Sequence, residues 1–258
     1  MITVRDVERM LFDWAPKELA APWDNVGHLV GEPNAQVHKV LVSLDITEEV
    51  VQEAIASGAD LIVAHHPVMN CEWHPVQHVR SDDAQGRILI QMIRNGISAI
   101  CMHTNLDAAD GGVNDALADR LGLQECEMLN EEKIGRVGTL KSELPLVEFT
   151  RFVVKSLGCH GLRYTDCGKP VRRVAVGGGA CGGYISQAIA LGCDTFVTSD
   201  LRYHDFLDTK EINLIDAGHF PTEDVICPIL AERLREAFPE LNVVYSTTHS
   251  CEVIQYCI

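Results

Sequence analysis

Histidine and carboxylate residues recur in short groups along this chain, and their types and spacing point to metal binding. The groups are His65-His66, His103 with Asp107, His219 with Glu223, and the loop Asp110-Gly111-Gly112-Val113-Asn114. Neutral imidazoles and carboxylates are the usual ligands of first-row divalent ions, and a set without cysteine suits Zn, Mn, Fe, Co or Ni better than a thiolate-rich structural site. We therefore predict a metal centre with five ligands: His65, His66, Asp107, His219 and Glu223.

Two features of this set predict a pair of ions. Five ligands exceed the three protein ligands that a mononuclear catalytic zinc usually takes. Glu223 follows His219 by four residues, and its two oxygens could bridge ions that lie about 3.5–4 Å apart. His65 and His66 can serve one site only where a strand ends, because successive strand side chains face opposite ways. Each histidine taken alone also has a structural interpretation, in the core or in solvent.

The first half of the chain predicts elements that bring several of these side chains to one edge. After a first helix that Thr3 and Asp6 open as a capping box, apolar strands are expected at residues 39–44, 61–64 and 97–102, with helices near 47–56 and 81–95 between them. This alternation is typical of a largely parallel sheet whose ligands bind beyond the carboxyl ends of the strands. Five candidate residues follow such ends: Asp45, His65, His66, His103 and Asp107.

The second half repeats the α/β pattern. It predicts helices at 145–157, 184–191 and 222–238, and strands at 171–176, 195–198, 213–216 and 242–245. The polar stretch 124–133 suggests a boundary, so we predict an α/β fold of two three-layer α/β/α domains of related topology, 1–125 and 126–258, with a metal cleft between them. His65, His66 and Asp107 would belong to the first domain, and His219 and Glu223 to the second.

Composition narrows the class of protein. The 258 residues carry 21 basic and 37 acidic side chains, a net charge of −16 that makes nucleic acid an improbable partner. A small anionic substrate stays possible if four basic residues converge: Lys169, Arg172, Arg173 and Arg202. The sequence shows neither a signal peptide nor an apolar run long enough to span a membrane, so we predict a soluble cytoplasmic protein. The ten cysteines, without a CxxC pair, predict buried reduced thiols.

A family resemblance extends over essentially the whole chain. It rests on motifs in one order: Trp23-Asp24-Asn25-Val26-Gly27, Ala64-His65-His66-Pro67, His103-Thr104-Asn105-Leu106-Asp107 with Gly111-Gly112-Val113-Asn114, Gly177-Gly178-Gly179, Thr198-Ser199-Asp200 with Tyr203-His204, and Asp216-Ala217-Gly218-His219 with Glu223. In these motifs the chain resembles the dinuclear-metal proteins called GTP cyclohydrolase I type 2 homologs (YbgI-like). His28, Ser199 and the tail 248–258 depart from the family pattern.

The resemblance implies one ion on His65 and Asp107, a second on His66 and His219, and Glu223 bridging both. It also implies two α/β domains with the site in their cleft, and a toroidal homohexamer. The family name suggests GTP, opened at its imidazole ring, as substrate, although a family name does not settle a reaction.

A competing motif points to a different class of protein. Residues 177–182 satisfy GxGxxG between a predicted strand and helix, and Asp200 ends the next strand, where a ribose-binding acid would stand in a dinucleotide-binding oxidoreductase. A tight turn that needs positive φ explains these glycines equally well. The oxidoreductase interpretation leaves every histidine unexplained, so we rank it below the metal centre.

The leading hypothesis is a metal-dependent hydrolase in which two ions lower the pKa of a bridging water and supply hydroxide. His103 is the candidate catalytic residue for proton transfer. The residues leave open whether it lies beside the metals, as a proton relay or as the partner of a ligand, or simply faces the sheet. His204 is expected to cap or pack, and His249 has no interpretable context. The alternative is a non-enzymatic metal-binding or scaffold ring protein with a regulatory role.

Overall fold

The computed structural model describes residues 1–71, 75–251 and 253–256 and contains two compact α/β units. The first unit comprises residues 1–109 and 227–250, and the second comprises residues 110–226 with the stretch that starts at residue 251. The chain therefore leaves the first unit and returns to it, whereas the sequence analysis placed a single boundary after residue 125.

The strands and helices have the following bounds. The strands are β1 Gly27–Val30, β2 Lys39–Ser43, β3 Leu61–Ala64, β4 Ser98–Cys101, β5 Gln124–Met128, β6 Arg136–Leu144, β7 Arg163–Thr165, β8 Val171–Val176, β9 Thr195–Thr198, β10 Asn213–Asp216 and β11 Asn242–Tyr245. The helices are α1 Val4–Trp14, α2 Glu48–Ser57, α3 Ala84–Arg94, α4 Thr104–Ala108, α5 Val113–Arg120, α6 Leu146–Leu157, α7 Ile185–Ala190, α8 Tyr203–Asp208, α9 His219–Glu223 and α10 Cys227–Ala237.

The sheet of the first unit confirms the predicted parallel arrangement. Its strand order is β1-β4-β3-β2-β11, in which β4, β3, β2 and β11 run parallel and β1 is an antiparallel edge strand. In register, Ser43 pairs with Ala64 and Ala64 with Cys101, so the carboxyl ends of β2, β3 and β4 lie at one edge. Every residue of β3 and β4 is buried, which explains why Ser98 is the one polar residue of these two strands.

Helix caps in this unit follow the sequence signals. Thr3 and Asp6 form the predicted capping box of α1. Thr47 caps α2, which ends at Gly58 in the left-handed conformation (φ 69°), and Asp83 caps α3. The caps of α2 and α3 set where these helices begin after β2 and β3. They thereby set the length of the loops that carry the candidate ligands.

The sheet of the second unit is mixed. Its order is β5-β6-β8-β9-β10-β7, with β8, β9 and β10 parallel and the remaining neighbours antiparallel. The sequence predicted β8, β9 and β10 with their observed bounds and missed the other three strands. All five residues of β5 are exposed, so the strand lacks the alternation that marks a half-buried strand.

The end of the chain differs from the sequence prediction in two ways. The single helix expected at 222–238 is interrupted: α9 ends at Glu223, a 3₁₀ turn spans Asp224–Ile226, and α10 begins at Cys227. Pro228 lacks an N–H and sterically disfavours a continuous helix through this point, so it stands in the first turn of a new one. Strand β11 pairs in parallel with β2 and so belongs to the first sheet, not to the second series.

Within the described residues, no helix is both long and apolar enough to cross a bilayer. The described cysteines carry thiols, most of them buried, as predicted, and Cys257 lies outside the described residues.

Candidate metal centre

Three histidines converge at the carboxyl edge of the first sheet. His65 and His66 directly follow β3, and His103 stands two residues after β4, at the start of α4. Their ring centroids lie 5.0 to 5.6 Å apart, and one nitrogen of each ring lies within 4.8 Å of the corresponding nitrogens of the other two. All three residues are buried. The spacing of these nitrogens suits a shared cation or an exchange of protons.

The hydrogen bonds of these rings decide which nitrogen is available to a metal. His65 Nδ1 lies 2.7 Å from the carbonyl oxygen of Met102, and His66 Nδ1 lies 2.7 Å from Asp45 Oδ1. A carbonyl or an ionised carboxylate can only accept, so each Nδ1 donates and each Nε2 carries the lone pair. This is the arrangement by which proteins orient metal-binding histidines.

His103 has the same arrangement, with Asp24 as its acceptor. His103 Nδ1 lies 2.9 Å from Asp24 Oδ1, and the Thr104 backbone N–H and hydroxyl also donate to this carboxylate. The Asp24 side chain is fully buried. Burial acts to raise the pKa of Asp24, but the hydrogen bonds and charge of His103, with the bonds from Thr104, lower it to about 2. Sequence analysis quoted Asp24 only within a motif and missed this role.

Asp107 brings a carboxylate to the same edge. It lies in the short helix α4, four residues after His103, and is buried. Its Oδ1 is 3.6 Å from His65 Nε2, which is too long for a hydrogen bond but suitable for two ligands of one ion. His65, His66 and Asp107 thus lie together in the first unit.

The second unit brings His219 and Glu223 together on α9. Their side chains are one helical turn apart, with His219 Nε2 2.9 Å from Glu223 Oε2. His219 Nδ1 lies 2.6 Å from Asp200 Oδ2, so a carboxylate orients this ring as well. Burial acts to lower the pKa of His219, but the charge of Glu223 and the hydrogen bonds to Asp200 and Glu223 raise it to about 11.

The glycine-rich turn after β8 holds Glu223 in place. A Cβ on Gly179 would come 2.0 Å from Glu223 Oε1 and 3.2 Å from His219 Nε2, and Gly179 has a positive φ of 64°. The Gly179 N–H donates to Thr222 Oγ1 at 3.1 Å. Both features that suggested a dinucleotide site, the glycines and Asp200, therefore contact the His219–Glu223 pair.

The loop before α5 supports this turn. Asn114 Oδ1 accepts a hydrogen bond from the Gly178 N–H at 3.0 Å, and Asn114 is fully buried. Asp115 accepts from the Gly111 N–H and pairs with the buried guanidinium of Arg136. Asn114 and the neighbouring Asp115 thus support the architecture of the second unit.

Asp45 connects a further histidine to the first-unit cluster. His249 Nε2 lies 2.7 Å from Asp45 Oδ2, while Oδ1 of the same carboxylate accepts from His66. Burial acts to raise the pKa of Asp45, but hydrogen bonds and charges of His249 and His66 hold it well below its usual range. No local sequence signal marked His249, because its partner lies 204 residues away.

The remaining predicted groups have other partners. Lys169 Nζ donates to the carbonyl of Glu211 at 2.6 Å, Arg173 pairs with Glu127, and Arg202 lies 3.7 Å from Asp205. His204 packs edge-on against Tyr203 with ring centroids 5.3 Å apart, which agrees with a packing role.

The residues present fit a divalent cation. Buried imidazoles whose Nδ1 atoms donate to oxygen lie beside Asp107 in the first unit, and His219 lies beside Glu223 in the second. Imidazole and carboxylate are donors suited to a borderline ion. His219 Nε2 and Glu223 Oε2 lie 2.9 Å apart, and a cation bound there would displace the proton between them, since ligands must lose their protons to bind metal. Buried histidine and glutamate groups of this chain could therefore hold a metal ion.

Comparisons with known proteins agree with the resemblance. A GTP cyclohydrolase 1 type 2 homolog of Clostridium perfringens is 34% identical over 242 residues, which cover 90% of this chain and 91% of the relative. One of Lactococcus lactis is 36% identical over 230 residues, with 86% and 87% covered.

A solved structure and a family model also match nearly the whole chain. A Bacillus cereus protein related to NIF3 superposes with a TM-score of 0.90 at 25% identity, covering 99% of this chain and 100% of that one. The model of the Duf34/NIF3 (NGG1p interacting factor 3) family matches residues 2–252. This match spans nearly the whole sequence, so the chain belongs to the Duf34/NIF3 family.

Proposed function

We propose that this protein is a metal-dependent hydrolase whose two divalent ions are held by His65, His66, Asp107, His219 and Glu223. The observation that carries the proposal is shared by four histidines. Each places Nδ1 against an oxygen acceptor: Met102 O for His65, Asp45 for His66, Asp24 for His103 and Asp200 for His219. Such orientation by outer partners is typical of metal-binding histidines.

Bound ions would act as Lewis acids and lower the pKa of a water towards neutrality. His103 would receive or deliver a proton at Nε2, because its Nδ1 is engaged with Asp24. The Asp24 carboxylate, ionised at neutral pH, holds the ring in one orientation and leaves Nε2 for the proton. Gly179 keeps space for the Glu223 carboxylate beside His219.

The name of the curated relatives supports a purine nucleotide, opened hydrolytically at its ring, as the first substrate to test. The family resemblance likewise supports a toroidal homohexamer, and a cytoplasmic location remains a proposal from the sequence. A non-enzymatic role in metal binding or as a regulatory scaffold is the alternative. The basic side chains favour this alternative. An anionic substrate would need several of them to converge, whereas Lys169, Arg173 and Arg202 each contact an acidic residue or a carbonyl of their own.

The test is elemental analysis combined with turnover on the same preparation. Wild-type protein purified without chelator is expected to contain about two ions per chain and to hydrolyse GTP or a related nucleotide or phosphoester. His65→Ala and Glu223→Ala are expected to lose metal and activity together, and a chelator is expected to abolish wild-type activity. His38→Ala is the matched control, since His38 is an exposed histidine that also faces an aspartate, 3.6 Å away.

Each outcome separates the candidates. Metal-depleted variants that hydrolyse the substrate panel as fast as wild type would refute the hydrolase. Two ions without any turnover would favour the binding or scaffold role, and protein without metal would refute both.

A further inference from the structure

His249 is a buried histidine near the end of the chain whose side chain reaches the carboxylate behind His66. It is 7% exposed, and its Nε2 lies 2.7 Å from Asp45 Oδ2. Both residues belong to the first unit, although 204 positions separate them in the sequence. Because a carboxylate oxygen accepts, His249 is the donor in this bond.

Asp45 divides its two oxygens between two histidines. Oδ1 accepts from His66 Nδ1 and Oδ2 accepts from His249 Nε2, both at 2.7 Å. A carboxylate held at one oxygen can still rotate, whereas one held at both presents a fixed acceptor. The Asp45 side chain is 35% exposed, so water competes for it unless a second protein donor holds it.

The segment that carries His249 is itself anchored. The Glu53 carboxylate accepts from Ser246 Oγ at 2.6 Å, from the Thr247 N–H at 2.9 Å and from Thr248 Oγ1 at 2.8 Å. The His249 N–H donates to Ser246 Oγ at 3.2 Å. These bonds tie the chain after β11 to helix α2 and set the position from which His249 reaches Asp45.

We propose that His249 is a positioning residue that, through Asp45, fixes the His66 ring for metal binding. The inference rests on the proposed function, because it takes His66 as a ligand. Outer partners of metal-binding histidines raise affinity by holding the ring in the required orientation and tautomer. His249 would therefore strengthen metal binding without touching the ion.

The experiment is a competition titration of the metal-depleted full-length protein with Zn²⁺ against a chromophoric chelator. His249→Ala is expected to weaken binding of one ion by roughly 10–100-fold, the usual loss for such partners. His249→Phe keeps a ring without the donor and is expected to show the same loss if the alanine variant does not fold. His249→Gln retains an N–H donor and is expected to bind near wild-type affinity, as is the exposed control His38→Ala.

Two further readouts test the route through Asp45. Asp45→Ala should weaken binding similarly, and the Asp45→Ala/His249→Ala double variant should be no weaker than Asp45→Ala alone. In metal-free protein, NMR of the imidazole nitrogens should show the Nδ1–H form of His66 in wild type and a loss of that preference in His249→Phe. A structural role for His249 would lower stability without changing this tautomer.

The outcomes distinguish this inference from the proposed function. Wild-type protein that binds no Zn²⁺ would overturn both. Wild-type binding that His249→Phe leaves unchanged, or losses that add in the double variant, would overturn the role of His249 and leave the metal centre standing.

Discussion

At the scale of single residues, the burial of the carboxylate that accepts from Nδ1 distinguishes His103 from the proposed ligands His65 and His66. His65 and His66 place Nε2 near carboxylate or imidazole groups, and His65 Nε2 lies 3.6 Å from Asp107. His103 shares their edge, yet its partner Asp24 is a fully buried carboxylate with a pKa of about 2. The Asp24 carboxylate accepts from His103 Nδ1, which fixes the tautomer and leaves Nε2 to exchange a proton, the geometry that acid–base work needs.

His103→Ala is therefore expected to lower hydrolysis by roughly 10²–10⁴-fold while leaving the metal content unchanged, the range usual for loss of a general acid or base. Asp24→Asn is expected to reduce turnover in the same direction, because it removes the charge behind the ring. Steady-state kinetics and elemental analysis on the same samples check both. Loss of a metal ion from His103→Ala would instead assign His103 as a ligand.

At the scale of elements, one glutamate on α2 secures the segment that follows β11. Burial acts to raise the pKa of Glu53, but its hydrogen bonds from Ser246, Thr247 and Thr248 lower it to about 2. A carboxyl group whose pKa is lower in the folded chain stabilises the fold at pH values above its unfolded pKa. This stabilisation is lost as the pH falls through the folded pKa of about 2.

Glu53→Gln is expected to lower the melting temperature at pH 7, with a difference from wild type that shrinks below about pH 4.5 and has largely disappeared by about pH 2. Thermal unfolding at a series of pH values measures this. Glu49→Gln is the control, since Glu49 is an exposed glutamate on the same helix. A difference between Glu53→Gln and wild type that persists at pH 2 would show that charge on Glu53 is not the cause.

At the scale of the whole molecule, the return of the chain to its first sheet is the main feature. Helix α10 contacts β2 and β11, and β11 extends the sheet beside β2. Leu230 and Leu234 of α10 are fully buried. Residues near the end of the sequence thus stabilise the unit that contains its beginning.

Leu230→Ala is expected to destabilise the first unit by about 2–5 kcal/mol, through lost burial and the cavity left behind. Hydrogen exchange should rise in β2 and β11 and change little in β8 and β9. Val147→Ala is the control, since Val147 is 46% exposed and its loss should cost within about 0.5 kcal/mol. Faster exchange in β8 and β9 alone would contradict the division of the chain into these units.

The sequence by itself determined the local features. The sequence pattern predicted the first and last residues of β3, β8, β9, β10 and β11 correctly. Thr3, Thr47 and Gly58 marked the ends of helices. Strands and caps can be predicted in this way because both depend on residues that are neighbours in the sequence. Ligand chemistry and position after strands likewise indicated that His65, His66 and Asp107 come together, since parallel strands share one carboxyl edge.

Tertiary structure decided what depends on residues far apart in the chain. Membership of β11 in the first sheet, the pairing of Asp24 with His103 and of Asp200 with His219, and the reach of His249 to Asp45 all join distant positions. The need for a glycine at position 179 also became clear only from the nearby Glu223 carboxylate, which leaves no room for a Cβ. A hydrogen bond or a close approach leaves no local pattern in either partner, so these contacts required the folded chain.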